Sequence, residues 1–225
     1  MGSLSVDLTN QPFEIHAPAS YDGTQPFGLI VFIPSADRTA HVPSGWDDVL
    51  KARRLILVIP QKAVNSVEAA NRLGLGVIAA ERMQERYKID RRRVYAAGIS
   101  GGARTACALG IYQSDVFTGT IQSCGTQFTH PVAQVKAVPL DRDHGEIYGV
   151  LKASEEEVQR SRDRVRFVIV TGSNDFRYAN LLDIYNGGFI RDGYKATLID
   201  VPGMKHEVCS ADALGRALDF IEGTP

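Results

Sequence analysis

The chain has 225 residues, 44 % hydrophobic and 23 % charged, enough to bury one sizeable core. Its net charge of −1 gives no electrostatic footprint for nucleic acid or an anionic membrane surface, so neither is an expected partner. No apolar run approaches the ~20 residues of a membrane-spanning helix, and Met1 to Gln11 lacks the basic start and apolar stretch of a secretory leader. A single domain over 1–225, in the cytoplasm, is the expectation.

In chain order, Ser5 to Leu8 and Phe13 to His16 predict short antiparallel edge strands. Phe27 to Pro34, Leu55 to Pro60, Val94 to Ile99, Thr118 to Cys124, Arg164 to Thr171 and Ala196 to Val201 read as strands. Most are continuously apolar, as strands covered on both faces are. Between them, Trp46 to Arg54, Val67 to Tyr87, Gly101 to Gln113, Phe176 to Gly193 and Ala211 to Glu222 carry helical spacing. This alternation predicts an α/β fold, a doubly wound, mostly parallel sheet with helices on both faces.

One segment interrupts the rhythm. About 40 residues separate Cys124 from Arg164, long for a connection inside a compact domain. Ser154 and Glu157 form a capping box that opens a helix through Arg162. Thr126 to Lys152 is of mixed character and suits the cover of a pocket. The whole reads as a short insertion over 126–163, with no room for a large cap domain. Cys107, Cys124 and Cys209 are too few and too scattered for a disulfide framework or a zinc site. Cys107 and Cys124 read as small buried hydrophobes, while a pairing of Cys209 with either stays open.

The chemistry concentrates at three strand ends. Val94 to Ala97 runs into Gly98-Ile99-Ser100-Gly101-Gly102, where glycines flank the turn that a strand and a helix need when their backbones nearly touch. This Gly-x-Ser-x-Gly pattern predicts an exposed serine above the N-terminus of a helix. Such a serine needs a base, and the base needs a group to orient it. The strand Phe167 to Val170 leads to Asp175, and the strand Thr197 to Val201 leads to His206. Asp175 also stands where a helix N-cap would, as do Ser173 and Asn174. The order Ser100, Asp175, His206 is that of nucleophile, acid and base on successive strands of an open α/β sheet.

On these runs, Tyr95 to Ala103, Thr171 to Phe176 and Val201 to His206, the sequence resembles the α/β-hydrolase superfamily over nearly its whole length. Within it, the chain is similar to the esterase branch of polyhydroxybutyrate-depolymerase-like and feruloyl-esterase-like proteins. The resemblance implies a serine hydrolase with Ser100 as nucleophile, His206 as general base and Asp175 as orienting acid. Relatives of this type often carry His-Gly where this chain has Pro34-Ser35. Proline has no N–H to donate, so the oxyanion donors fall to Ala36 or Ser35, together with Gly101.

Proximity to strand ends nominates Asp37, Arg38, Trp46, Gln127, Phe128 and Phe176 as pocket residues. His130 and His144 either line that pocket or sit apart from it. His16 and His41 read as surface or edge residues, and Arg104 is expected to face solvent. A small-molecule ester is the expected substrate, with no cofactor and no metal; oligomeric state is not legible. A peptidase or thioesterase of the same fold is the enzymatic alternative. A catalytically silent binding protein on the same scaffold is the other.

Overall fold

The computed structural model describes residues 10–132 and 150–223, so Ser5 to Leu8, His144 and most of Thr126 to Lys152 lie outside the described residues. The strands are β1 (Phe13–His16), β2 (Phe27–Ile33), β3 (Leu55–Pro60), β4 (Ile89–Ile99), β5 (Gly119–Ser123), β6 (Arg166–Thr171) and β7 (Lys195–Asp200). They form one seven-stranded sheet in the order β1-β3-β2-β4-β5-β6-β7. β1 is antiparallel to β3, and every other pair is parallel. β2 and β3 are buried along their whole length, which is why they read as unbroken apolar runs rather than as alternation.

The helices are α1 (Trp46–Arg53), α2 (Ala69–Arg86), α3 (Gly101–Tyr112), α4 (Glu155–Arg164), α5 (Tyr178–Ile184) and α6 (Ala211–Glu222). Successive strand side chains point to opposite faces and serve separate cores. Ile30, Phe32 and Leu57 pack with Trp46 and Leu50 of α1 and Leu214 and Leu218 of α6. Leu29, Val31 and Ile33 pack with Leu75 and Met83 of α2 and Leu109 of α3. Phe167 and Ile169 continue that second face against Ile111 of α3 and Leu181 of α5.

Three elements differ from or sharpen the expectation. β4 begins at Ile89, not Val94, because the charged stretch Asp90 to Arg93 finds ion-pair partners within itself and on α6. Arg93 pairs with Glu222 at 2.6 Å, and Arg92 pairs with Asp90 at 3.1 Å. The helix expected from Phe176 to Gly193 is shorter: α5 ends at Ile184 and continues as a π-helical turn over Tyr185–Ile190. Glycines there admit a close neighbour, since a Cβ on Gly187 would lie 2.8 Å from Val132 and one on Gly188 3.0 Å from the Phe128 ring. The widened turn thus receives the start of the 126–163 segment. At the other end of that segment, Ser154 Oγ accepts the Glu157 N–H at 3.3 Å while Glu157 Oε2 accepts the Ser154 N–H at 2.7 Å, and α4 follows. Among the described residues, no helix is long and apolar enough to cross a membrane.

Candidate active site

Ser100 sits between β4 and α3 with φ 56° and ψ −117°, a backbone region that costs an L-residue of order 1–3 kcal/mol. Its neighbours enforce the turn. A Cβ on Gly98 would lie 2.4 Å from the Gly102 carbonyl carbon, and one on Gly102 would lie 2.0 Å from the Ile33 carbonyl oxygen. Only glycine lets strand, turn and helix touch this closely. The Ser100 N–H donates to Ser123 O at 2.9 Å, and Ser100 O accepts the Arg104 N–H at 3.1 Å. The backbone is fixed on both sides while the residue stays half-buried.

Asp175 leaves β6 by a short turn and is 3 % exposed. Its Oδ1 accepts His206 Nδ1 at 2.8 Å and the Arg177 N–H at 3.1 Å, and its Oδ2 accepts Thr171 Oγ1 at 2.8 Å. The bond to the Arg177 N–H closes a local turn ahead of α5, whose N-cap is Arg177 with no side-chain cap bond, so the carboxylate orients the imidazole and does not cap the helix. Burial pushes this carboxyl up, but the bonds from His206, Arg177 and Thr171 outweigh it and hold it below its ordinary value of 3.8. With Nδ1 facing the carboxylate, Nε2 is the His206 atom left to take a proton. Phe176 lies against the His206 ring, centroids 4.3 Å apart and planes 32° apart, and is itself 51 % exposed. Of the nominated pocket residues, Phe176 is the one that touches the imidazole.

The end of β5 joins the two halves of this arrangement. Cys124 takes φ 54°, and a Cβ on the following Gly125 would lie 2.3 Å from Ser100 O. The Cys124 thiol donates to the carbonyls of Lys205 and Glu207, each at 3.4 Å, gripping the backbone on both sides of His206. Two further bonds hold that loop: the Cys209 N–H to Ser123 Oγ at 3.1 Å and Trp46 Nε1 to Cys209 O at 3.0 Å. Cys124 Sγ, an Asp175 oxygen and a His206 nitrogen lie within 4.8 Å of one another, a trio of metal-ligand types. Burial, then the charge of Asp175, push the thiol well up, so it stays protonated and acts as a donor rather than a thiolate ligand. All three cysteines are buried and free, so Cys209 pairs with neither of the others.

The proposed oxyanion donors have a competitor. The N–H groups of Ser35 and Ala36 both point at Thr39 Oγ1, at 3.0 and 3.1 Å, and that hydroxyl donates back to Ala36 O at 2.8 Å. This side-chain-to-backbone motif satisfies the strand end locally. Gly101 is the first residue of α3, where an N–H has no partner within the helix. Asn65 lies over it: a Cβ on Gly101 would sit 2.1 Å from Asn65 Oδ1, while the Asn65 N–H donates to Ser35 O at 3.0 Å. Thr39→Val keeps the shape of the side chain and removes its hydroxyl. Freeing the Ala36 N–H from a bond worth about 1 kcal/mol is expected to raise kcat roughly fivefold. The same change is expected to cost about 1–3 kcal/mol of stability, because the Ser35 N–H and Ala36 O lose their partner too. Ester turnover and thermal melting of the variant check both.

Other nominated residues fall in different places. Trp46 is fully buried, edge-on to Phe32 at 5.6 Å, so it belongs to the core and not to a pocket. As the first residue of α1 it is turned inward by helix phase, which proximity to a strand end does not reveal. Phe128 is likewise core, 4 % exposed among Phe189, Tyr194 and His130. His130 is tied to Asp192 at 2.6 Å. His16 pairs with Asp47 at 3.1 Å on the edge strand, and His41 is exposed. Asp37 and Arg38 are exposed on a 3₁₀ turn, Asp37–Thr39. Gln127 lines a cavity of about 480 Å³ beside Gly101, and Arg104 lines it too instead of facing only solvent. Sequence reasoning missed Thr39, Asn65, Arg72, Cys124 as a clamp, and Thr171. The signals available were a threonine four residues past Ser35 and the position of Cys124 at a strand end.

No family model matches the chain, and no curated protein does. Solved structures do. Fluorophosphonate-binding serine hydrolase F of Staphylococcus aureus superposes with a TM-score of 0.68 at 14 % identity, covering 94 % of this chain and 92 % of that one. An S-formylglutathione hydrolase of Staphylococcus aureus gives 0.67 at 14 % identity, with the same coverage of 94 % and 92 %. A ferulic acid esterase of Anaeromyces mucronatus gives 0.60 at 18 % identity, covering 95 % and 84 %. The chain has the α/β-hydrolase fold.

Proposed function

We propose that this chain is a serine hydrolase that cleaves carboxylic esters through an acyl-enzyme on Ser100. The observation that carries the reading is the 2.8 Å bond from His206 Nδ1 to a buried carboxylate, at the same end of the sheet as a serine in a strained strand-to-helix turn. The named activities of the structural neighbours support it. In this reading His206 Nε2 takes the Ser100 hydroxyl proton as Oγ attacks the ester carbonyl. The developing oxyanion is held by the Gly101 N–H and by an Ala36 N–H that exchanges Thr39 Oγ1 for the stronger, charged acceptor. The tetrahedral intermediate collapses, the C–O bond to the alcohol breaks, and His206 gives the proton to the leaving alkoxide. Water, deprotonated by His206, then attacks the acyl-enzyme; the acid leaves and the proton returns to Ser100. Asp175 keeps its charge throughout and stabilises the imidazolium that forms twice per cycle.

A catalytically silent binding protein on this scaffold is the second reading, favoured by one observation: the nominated donors of Ser35 and Ala36 are already engaged by Thr39. A fluorophosphonate probe separates the two, since it phosphonylates only an activated serine. Labelling is expected, and peptide mapping is expected to place it on Ser100. Native protein that stays unlabelled overturns the hydrolase reading.

A further inference from the structure

Among the described residues, the cavity beside Gly101 has a basic lining. Its polar lining includes Asn65, Arg72, Arg104, Gln127 and Lys152, and its described lining includes three cationic side chains and no carboxylate. Arg72 projects from the first turn of α2 and is only 7 % exposed. It donates from Nε to Ala63 O at 3.0 Å and from Nη2 to Pro34 O at 3.3 Å, so its hydrogen bonds go to neutral carbonyls. Burial, then the like charge of Arg104, lower its pKa to about 10. A guanidinium desolvated this far carries a cost that neutral acceptors offset only in part. The backbone cannot remove that cost; an anion entering the cavity would. Gly101, whose N–H the mechanism assigns to the oxyanion, also lines the cavity. The charge-bearing wall therefore adjoins the residue that follows the nucleophile.

We infer that this cavity binds the carboxylate of a charged ester, so that the substrate class is an ester bearing a second, ionised acid group. The inference rests on the hydrolase reading for the reaction, but not for the anion site itself. The selectivity is set by Arg104 and Lys152 at the accessible wall and by Arg72 beneath them. Arg72 also ties the Pro34 carbonyl to Ala63, so filling the cavity is coupled to the loop that carries Ser35 and Ala36.

Two matched ester pairs test this. Monoethyl adipate against ethyl hexanoate places a carboxylate or a methyl at the end of the acyl chain. The 4-acetoxybutyrate anion against butyl acetate does the same on the alcohol side. For one pair, kcat/KM is expected to favour the charged ester at least tenfold in wild type. Arg104→Gln is expected to shrink that ratio at least fivefold, and Lys152→Gln to shrink it less. The pair that shows the preference identifies which half of the ester the cavity holds. Equal turnover of charged and neutral esters in both pairs overturns the anion site and leaves the hydrolase reading standing. If no ester turns over, calorimetry with adipate decides the site by itself. Binding by native protein that weakens in Arg104→Gln upholds it, and absence of binding overturns it.

Discussion

Ser100→Ala is expected to lower ester turnover by on the order of 10⁵–10⁶ while leaving the fold unchanged. The turn survives because the glycines on both sides make it, not the hydroxyl: the close approaches are those of Gly98 to Gly102 and of Gly102 to Ile33. Alanine at φ 56° bears the same backbone strain as serine, so the melting temperature is expected to move little, with a stability change within about 0.5 kcal/mol. Rate and melting together make the test specific. A variant that still turns over ester at the native rate removes Ser100 from the chemistry. One that unfolds shows instead that the hydroxyl has a structural role.

Asp175→Asn is the second large effect, expected at about 10⁴ in kcat. The carboxylate accepts three donors, from His206, Arg177 and Thr171, and an amide offers one oxygen and an NH₂ in its place. If the oxygen keeps His206 and Arg177, the NH₂ meets the Thr171 hydroxyl and the charge opposite the imidazolium is gone. If the amide turns over, its NH₂ faces Nδ1 and selects the tautomer that cannot act as base through Nε2. The first outcome weakens general-base catalysis and the second removes it. The change also has a pH signature. The native carboxyl is held below its ordinary value of 3.8, so it binds its proton less readily folded than unfolded. Its stabilising contribution is full above that value and is lost as pH falls through the depressed one. The melting-temperature gap between native protein and Asp175→Asn is therefore expected to be widest at neutral pH and to close below about pH 4. A gap that does not change with pH would mean the folded carboxyl is not held below its ordinary value.

Much of this was legible in the chain. The buried strands are visible as apolar runs because both their faces are covered, and the three chemical residues stand out because an open parallel sheet gathers its loops at one end. Side-chain direction was not legible. Trp46 and Phe128 stand close to strand ends in sequence, yet helix phase in one case and the π turn in the other put them in the core. The opposite error hid Arg72 and Asn65, polar residues without a motif that look like surface until the loop after β3 and the start of α2 fold against Gly101. Thr39 was hidden because one hydroxyl bridging two N–H groups is a matter of local angles, which residue type alone does not fix.

The strand order has a consequence for how the protein comes to be during synthesis. From β4 to β7 each new strand joins the edge left by the one before, so the parts of the site arrive in the order they are translated. A nascent chain that has completed β4 and α3 already holds the strained serine, but with no base beside it. The imidazole comes only after β7, and the grips on its loop reach back to Trp46, Ser123 and Cys124, all made much earlier. Earlier segments thus wait as a preformed socket for the last one. On the proposed reading, a chain that ends before β7 has the serine but no base and is expected to leave esters untouched.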